Sequence, residues 1–282
     1  MHLVHTGANW RNYWLESLKN GKSIGLVPTM GALHEGHLDL VRKAKQEVDI
    51  VVVSIFVNPT QFNNQEDFNN YPSTIDEDLD KLRNEQVDFV FLPDLDTVYP
   101  EKPQLSINFG ELEAVLEGAF RPGHFNGVGI VVSKLFNIIK PEKAFFGQKD
   151  LQQTGIIKRL VKDLSMDVAL IIVPTRREED GLAMSSRNLR LSPDERAQAL
   201  ILIHSLTKAK QELLAGKPWF EVQNQITRDF EDVPLADLEY FELIHPDSFI
   251  GYVDFDPNQK SSLCVAAYLG KIRLIDNLPI IP

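Results

Sequence analysis

The 282-residue chain carries 29 Lys and Arg against 40 Asp and Glu, a formal net charge of -11, with 43% hydrophobic and 24% charged residues. That balance is globular, with material for one large or two modest cores, and the acidity excludes a dedicated nucleic-acid binder, which needs a basic face. A single cysteine, Cys264, excludes an internal disulfide; within the apolar run 263–266 it reads as a packed thiol suited to a reducing cytoplasm.

The first residues lack the basic-then-apolar pattern of a secretion signal, and the apolar runs at 50–53 and 168–173 are far shorter than the ~20 residues that cross a bilayer. No membrane partner is expected. Short β-branched runs then alternate with helical patterns: a strand at 24–27, a helix at 37–47, a strand at 50–57, a helix at 75–84 and a strand at 89–92. A helix at 127–139, a strand at 144–146, a helix at 150–164 and a strand at 168–173 continue the series. Strands without polar alternation, joined by helices, predict a doubly wound parallel sheet in an α/β domain over 1–175. From residue 176 the character changes to a polar loop, a long helix from the Ser192-Pro193-Asp194-Glu195 start to about 214, and a second helix to about 230. Strands at 239–244, 263–269 and 272–276 follow, so a smaller α+β domain is expected over 176–282.

Chemistry-bearing residues cluster just after predicted strands. The run 28–37 reads as a strand end, a glycine turn and a helix start with His34 and His37 on its first turn, either as plain helix-start polar residues or, the better reading, as phosphate contacts where backbone N–H groups and the helix dipole favour an anion. His34-Glu35-Gly36-His37 has the wrong spacing for a helical zinc site. Lys149 and Asp150 open another helix after the 144–146 strand, as phosphate and ribose contacts or as plain helix caps. The run 180–188 places Ser185, Ser186 and Arg187 beside Gly181, and composition suits a phosphate-wrapping loop and an interdomain linker equally. Gly127-Val128-Gly129 and Gly21-Lys22-Ser23 lack the full nucleotide-loop patterns and read as structural. Asp76, Glu77 and Asp78 sit where a helix dipole favours carboxylates, and Glu77 and Asp78 are candidate Mg²⁺ ligands.

Six segments in order resemble the pantoate–β-alanine ligase family over essentially the whole chain. They are PTMGALHEGH at 28–37, FVNPTQF at 56–62, YPSTIDED at 71–78, RPGHFNGV at 121–128, FFGQKDLQQ at 145–153 and PTRREEDGLAMSSRN at 174–188. The resemblance implies a Rossmann-like, nucleotidyltransferase-type fold and ATP-dependent joining of pantoate to β-alanine through a pantoyl-adenylate, with Mg²⁺, in a homodimer. It puts ATP against Met30, Gly31, Ala32, Leu33, His34, Glu35, Gly36 and His37, against Gly147, Gln148, Lys149 and Asp150, and against Arg176, Met184, Ser185, Ser186 and Arg187. His37 is implied as proton donor, Gln61 as a ligand of pantoate and β-alanine, and Gln153 as a ligand of pantoate; Asn58, Tyr71, His124 and Asn126 line the neighbourhood. Gln148 departs from the glutamate common in the family, and Arg176 is expected to meet adenine mainly through its backbone. Negative charge building on the phosphoryl and pyrophosphate oxygens would be met by His34, His37, Lys149, Ser185, Ser186, Arg187 and Mg²⁺. The competing readings are another nucleotidyltransferase and a catalytically silent nucleotide-binding regulator.

Overall fold

The structure is a computed structural model in which residues 1–281 are described, Gln65 through its backbone only. In chain order its first elements are β1 (His2–Val4), α1 (Gly7–Lys19), β2 (Ile24–Thr29), α2 (Glu35–Glu47), β3 (Ile50–Ile55), α3 (Gln65–Asn69), α4 (Ile75–Asn84) and β4 (Phe89–Phe91). There follow α5 (Leu95–Val98), α6 (Leu116–Phe120), α7 (His124–Ile139), β5 (Lys143–Gly147), α8 (Leu151–Asp163) and β6 (Ala169–Val173). The last are α9 (Pro193–Gln198), α10 (Ile201–Leu214), α11 (Trp219–Glu231), β7 (Ala236–Ile244), β8 (Ser261–Leu269) and β9 (Ile272–Ile281). The chain divides into two units, Met1–Gln148 with Ile156–Pro174, and Lys149–Gly155 with Thr175–Pro282.

In the first unit six parallel strands run in the order β1-β4-β3-β2-β5-β6. Side chains alternate across a strand, and here the alternation feeds two cores. Ile24, Leu26, Val52, Phe91 and Phe146 face a core with Trp10 of α1 and Phe125 and Val128 of α7. Val27, Val51, Val53, Val90 and Phe145 face the other, with Leu38 and Val41 of α2 and Leu79 and Leu82 of α4. Burial on both faces is why the strands lack polar alternation, and it makes the sheet doubly wound, as expected. Strand order reverses at β2, whose neighbours are β3 and β5, so the crevice beyond the carboxyl ends of β2 and β5 is the switch point at which such sheets gather ligands. Met30 follows β2 there, and Gln148 follows β5.

β1 and α1 have no counterpart in the periodic pattern. Three residues are too few to show a period; β1 is recruited by pairing with β4, and α1 is anchored by fully buried Trp10, whose Nε1–H donates to the Ile139 carbonyl at 2.9 Å. Ile107 and Phe109 pack against the first core at Gly129 of α7, where an added Cβ would meet the Phe109 ring at 2.9 Å, while Leu105 stays exposed. Among the described residues no helix is long and apolar enough to cross a membrane.

In the second unit β7-β8-β9 form an antiparallel sheet packed against α10 and α11. The Ser192–Glu195 capping box starts α9, but the single long helix expected to 214 is two. At Ala199 the chain tightens into an i→i+3 turn, with Leu202 N–H to the Ala199 carbonyl at 3.2 Å; the apolar period continues across it, so the pattern cannot register the break. β9 runs past its expected end at 276. Asp276 and Asn277 are residue types that suit a loop, yet both are buried, and Asp276 takes a two-pronged ion pair from Arg177 at 2.7 and 3.0 Å.

The second unit also includes Lys149–Gly155, which a single boundary near 176 does not anticipate. Asn277 donates to the Lys149 carbonyl at 2.8 Å, and the ring of buried Phe249 lies over Gly155 of α8 so closely that a Cβ there would stand 2.4 Å from it. Gly155→Ala is therefore expected to destabilise the protein by about 1–3 kcal/mol through overpacking, measured by chemical denaturation against the parent chain.

Candidate active site

The turn out of β2 crosses the left-handed region twice, at Gly31 (φ 86°) and Ala32 (φ 48°). For alanine this conformation costs about 1–2 kcal/mol and needs outside support. Asp78, on the first turn of α4 and fully buried, supplies it: its Oδ2 accepts the Ala32 N–H at 2.8 Å and its Oδ1 the Leu33 N–H at 2.7 Å. Thr74 Oγ1 donates to the same carboxylate at 3.2 Å, and Lys81 Nζ donates to the Leu33 carbonyl at 2.7 Å.

That turn delivers the chain into α2 with His34 as N-cap. His34 Nδ1 accepts the Gly36 N–H at 3.1 Å, and His37 Nδ1 accepts the His34 N–H at 3.3 Å, a capping box built from two imidazoles whose rings stand 4.0 Å apart. A neutral imidazole that accepts at Nδ1 carries its proton on Nε2. Both rings are thus set as Nε2–H donors at a helix N-terminus, where the backbone dipole already favours an anion.

Beside this turn lies a buried amide network. Asn58 Oδ1 accepts from the Tyr99 hydroxyl and from Thr60 Oγ1, each at 2.9 Å, so its Nδ2 faces Gln61 Oε1 at 3.1 Å and the Gly127 carbonyl at 3.3 Å. Burial pushes the Tyr99 phenol up, with the Thr60 hydrogen bond opposing, which keeps Tyr99 a donor. With Oε1 occupied, Gln61 presents its Nε2–H, which approaches the Met30 thioether at 2.8 Å. The Gln61 carbonyl is held by His124 Nδ1 at 2.8 Å, and Gly127 admits the Thr60 backbone where a Cβ would come within 2.3 Å of its carbonyl oxygen. Asn126 accepts the Ile107 N–H, and the Tyr71 ring packs edge-on to Phe62. Met30, His34, His37 and Gln61 thus belong to one neighbourhood. Thr60 lies within the 56–62 segment, whereas Tyr99 and Lys81, which also support the site, carry no sequence signal of their own.

In the second unit the run 176–190 is a built structure. Arg177 and Ala183 form an antiparallel bridge, the Glu178 N–H reaches the Leu182 carbonyl, and Gly181 (φ 95°) makes the turn. Arg196 pairs with Glu178 at 2.7 Å and Asp180 at 2.8 Å; although burial works against it, this holds the Asp180 carboxyl below its usual range. Met184 N–H bonds the Arg176 carbonyl, so these two expected nucleotide contacts meet through backbone. Ser185 caps the short helix Ser186–Arg190 by accepting the Arg187 N–H, and Ser186 is buried. Lys149, mostly buried, and Asp150 lie ahead of α8, which carries Gln153.

The Mg²⁺ expectation does not fit Glu77 and Asp78. The two neighbours point apart on the helix: Glu77 is exposed, while Asp78 is buried with both oxygens engaged by N–H donors rather than offered to a hydrated cation. Among the described residues no group of three or more His, Cys, Asp or Glu is arranged to hold a metal.

A family model described as Pantoate-beta-alanine ligase matches residues 2–279. The pantothenate synthetase of Thermosipho africanus is 46% identical, covering 93% of this chain and 94% of its own, and that of Fervidobacterium nodosum is 46% identical over 99% of both. The Thermus thermophilus pantothenate synthetase crystal structure superposes with a TM-score of 0.92 at 39% identity over 100% of both chains. The Francisella tularensis ligase, complexed with beta-gamma ATP and β-alanine, gives a TM-score of 0.81 at 37% identity over 99% of this chain and 98% of that one. With agreement at this level along nearly every residue, and with the histidine turn and amide network it encompasses, the chain belongs to the pantoate–β-alanine ligase family.

Proposed function

We propose that the chain makes pantothenate in two steps, with the imidazole pair on the nucleotide's phosphates. In the first step a pantoate carboxylate oxygen bonds the α-phosphorus of ATP, the bond to the β-phosphate's bridging oxygen breaks, and pyrophosphate leaves. In the second the β-alanine amine bonds the acyl carbon, the acyl–oxygen bond breaks, and AMP departs as the nitrogen loses a proton. The observation that carries this reading is the capping box at 34–37: it fixes two Nε2–H donors beyond the carboxyl end of β2, at the sheet's switch point.

In this reading His37 donates to the phosphoryl oxygens as charge develops, and Lys149, Ser185, Ser186 and Arg187 meet charge on the triphosphate. Met30–Leu33, Glu35, Gly36, Gly147, Gln148, Asp150, Arg176 and Met184 contribute nucleotide contacts, many through backbone. Gln61 offers an N–H of fixed orientation to a pantoate or β-alanine oxygen, and Gln153 holds pantoate. Neutral amides suit a step that is mainly positioning, since they hold a substrate without drawing a proton from the attacking amine. Mg²⁺ accompanies the nucleotide's own phosphates rather than Glu77 and Asp78. A homodimer in the cytoplasm completes the reading, and sedimentation tests the assembly.

Isotope-traced incubations that omit one substrate at a time should show pyrophosphate released from ATP and pantoate without β-alanine; release only when β-alanine is present would remove the adenylate step. His37→Ala should lower that release about 10²- to 10³-fold, with a smaller change in ATP affinity measured by equilibrium binding. Asn58→Ala frees the Gln61 amide to flip and should raise the KM for pantoate about tenfold, with the KM for ATP changing less in the same steady-state assay.

A further inference from the structure

We infer that Lys81, with Asp78, is a positioning residue that holds His37 as the Nε2–H tautomer by gripping the backbone ahead of it. The inference rests on the proposed role of His37 and names what sets that role up.

Three consecutive peptide groups leave β2 for α2, and two side chains one turn apart on α4 hold all three. Asp78 accepts the N–H of the 31–32 peptide (Ala32, 2.8 Å) and of the 32–33 peptide (Leu33, 2.7 Å). Lys81 donates to the carbonyl of the 33–34 peptide (Leu33, 2.7 Å). The N–H of that last peptide belongs to His34, and it is the donor that His37 Nδ1 accepts at 3.3 Å. In a planar trans peptide the C=O and N–H point in opposite directions, so fixing the oxygen fixes the hydrogen. The Lys81 ammonium therefore aims the His34 N–H at His37 and polarises it by drawing electron density toward the carbonyl. A ring that receives this N–H at Nδ1 carries its proton at Nε2. Lys81 is partly exposed, and its Nζ stands 4.0 Å from Asp78 Oδ1, near enough for the buried carboxylate to keep the ammonium over the peptide.

The test uses the whole chain labelled with ¹⁵N-histidine, whose long-range ¹H–¹⁵N correlations report which ring nitrogen of each imidazole is protonated. Lys81→Met keeps most of the aliphatic stem and removes the donor at a partly exposed position, so the variant should fold, as judged by its thermal melt. The wild type and Lys81→Arg, which retains a donor, should show His37 protonated at Nε2. Lys81→Met should shift the Nε2–H to Nδ1–H ratio about two- to twelvefold toward that of a solvated imidazole, the range one hydrogen bond of about 0.5–1.5 kcal/mol provides. Its kcat for pyrophosphate release should fall by a similar factor, with the KM for ATP changing less than about twofold. An unchanged His37 tautomer in Lys81→Met overturns the inference, whether or not turnover falls, because a purely structural lysine would change stability alone. A shifted tautomer with normal turnover in both Lys81→Met and His37→Ala upholds the positioning and instead removes His37 from the chemistry.

Discussion

A carboxylate with no exposed surface is costly to bury, and Asp78 is tolerated because its oxygens replace water with the N–H groups of Ala32 and Leu33 and the Thr74 hydroxyl. The exchange runs both ways, because the turn it satisfies is one the chain would not hold alone. Two successive residues in the left-handed region let β2 reverse into α2 within a few residues, which puts both histidines at the helix start instead of farther along it. Without the α4 contacts the histidines would lose their fixed relation to the sheet. The constraint also explains why an acidic helix start became an internal brace: α4 packs its Leu79 and Leu82 into the same core as α2, bringing the carboxylate within hydrogen-bond distance of the turn.

The substrate side uses the same logic with neutral groups. Tyr99 and Thr60 decide which way Asn58 faces, and Asn58 decides which way Gln61 faces. Each amide has two nearly isosteric orientations, so a chain of hydrogen bonds converts a symmetric choice into a defined donor. The approach of α7 to this turn depends on Gly127, and His124 at the start of α7 ties the Gln61 backbone to the same helix.

In the second unit, the run that follows β5 is held from outside itself. Lys149 is positioned through its carbonyl by Asn277 on β9, and the first turns of α8 by Phe249 seated on Gly155. The loop 176–190 is fixed by Arg177 on Asp276 and by Arg196 across Glu178 and Asp180. Of these pairs the one on Asp276 is the buried one, and removing Arg177 would leave that carboxylate without its compensating charge.

Local signals in the chain were enough for the doubly wound sheet, most of its helices and the histidine, glutamine and Ser/Arg motifs. Unbroken β-branched runs, glycine turns and helix starts are written over a few neighbouring residues, and the six motifs carried the family. No such signal marks β1, recruited only by a partner 87 residues away, or the break at Ala199, which leaves the apolar period intact. Nor does one show that Lys149–Gly155 belongs with the later residues, that Asp276 and Asn277 are buried within β9, or that Asp78 braces a turn rather than binding a cation. Most of these depend on a hydrogen bond or a packing contact between residues far apart along the chain. Residue type says that a carboxylate or an amide must find a partner, and only the folded arrangement decides which one it finds.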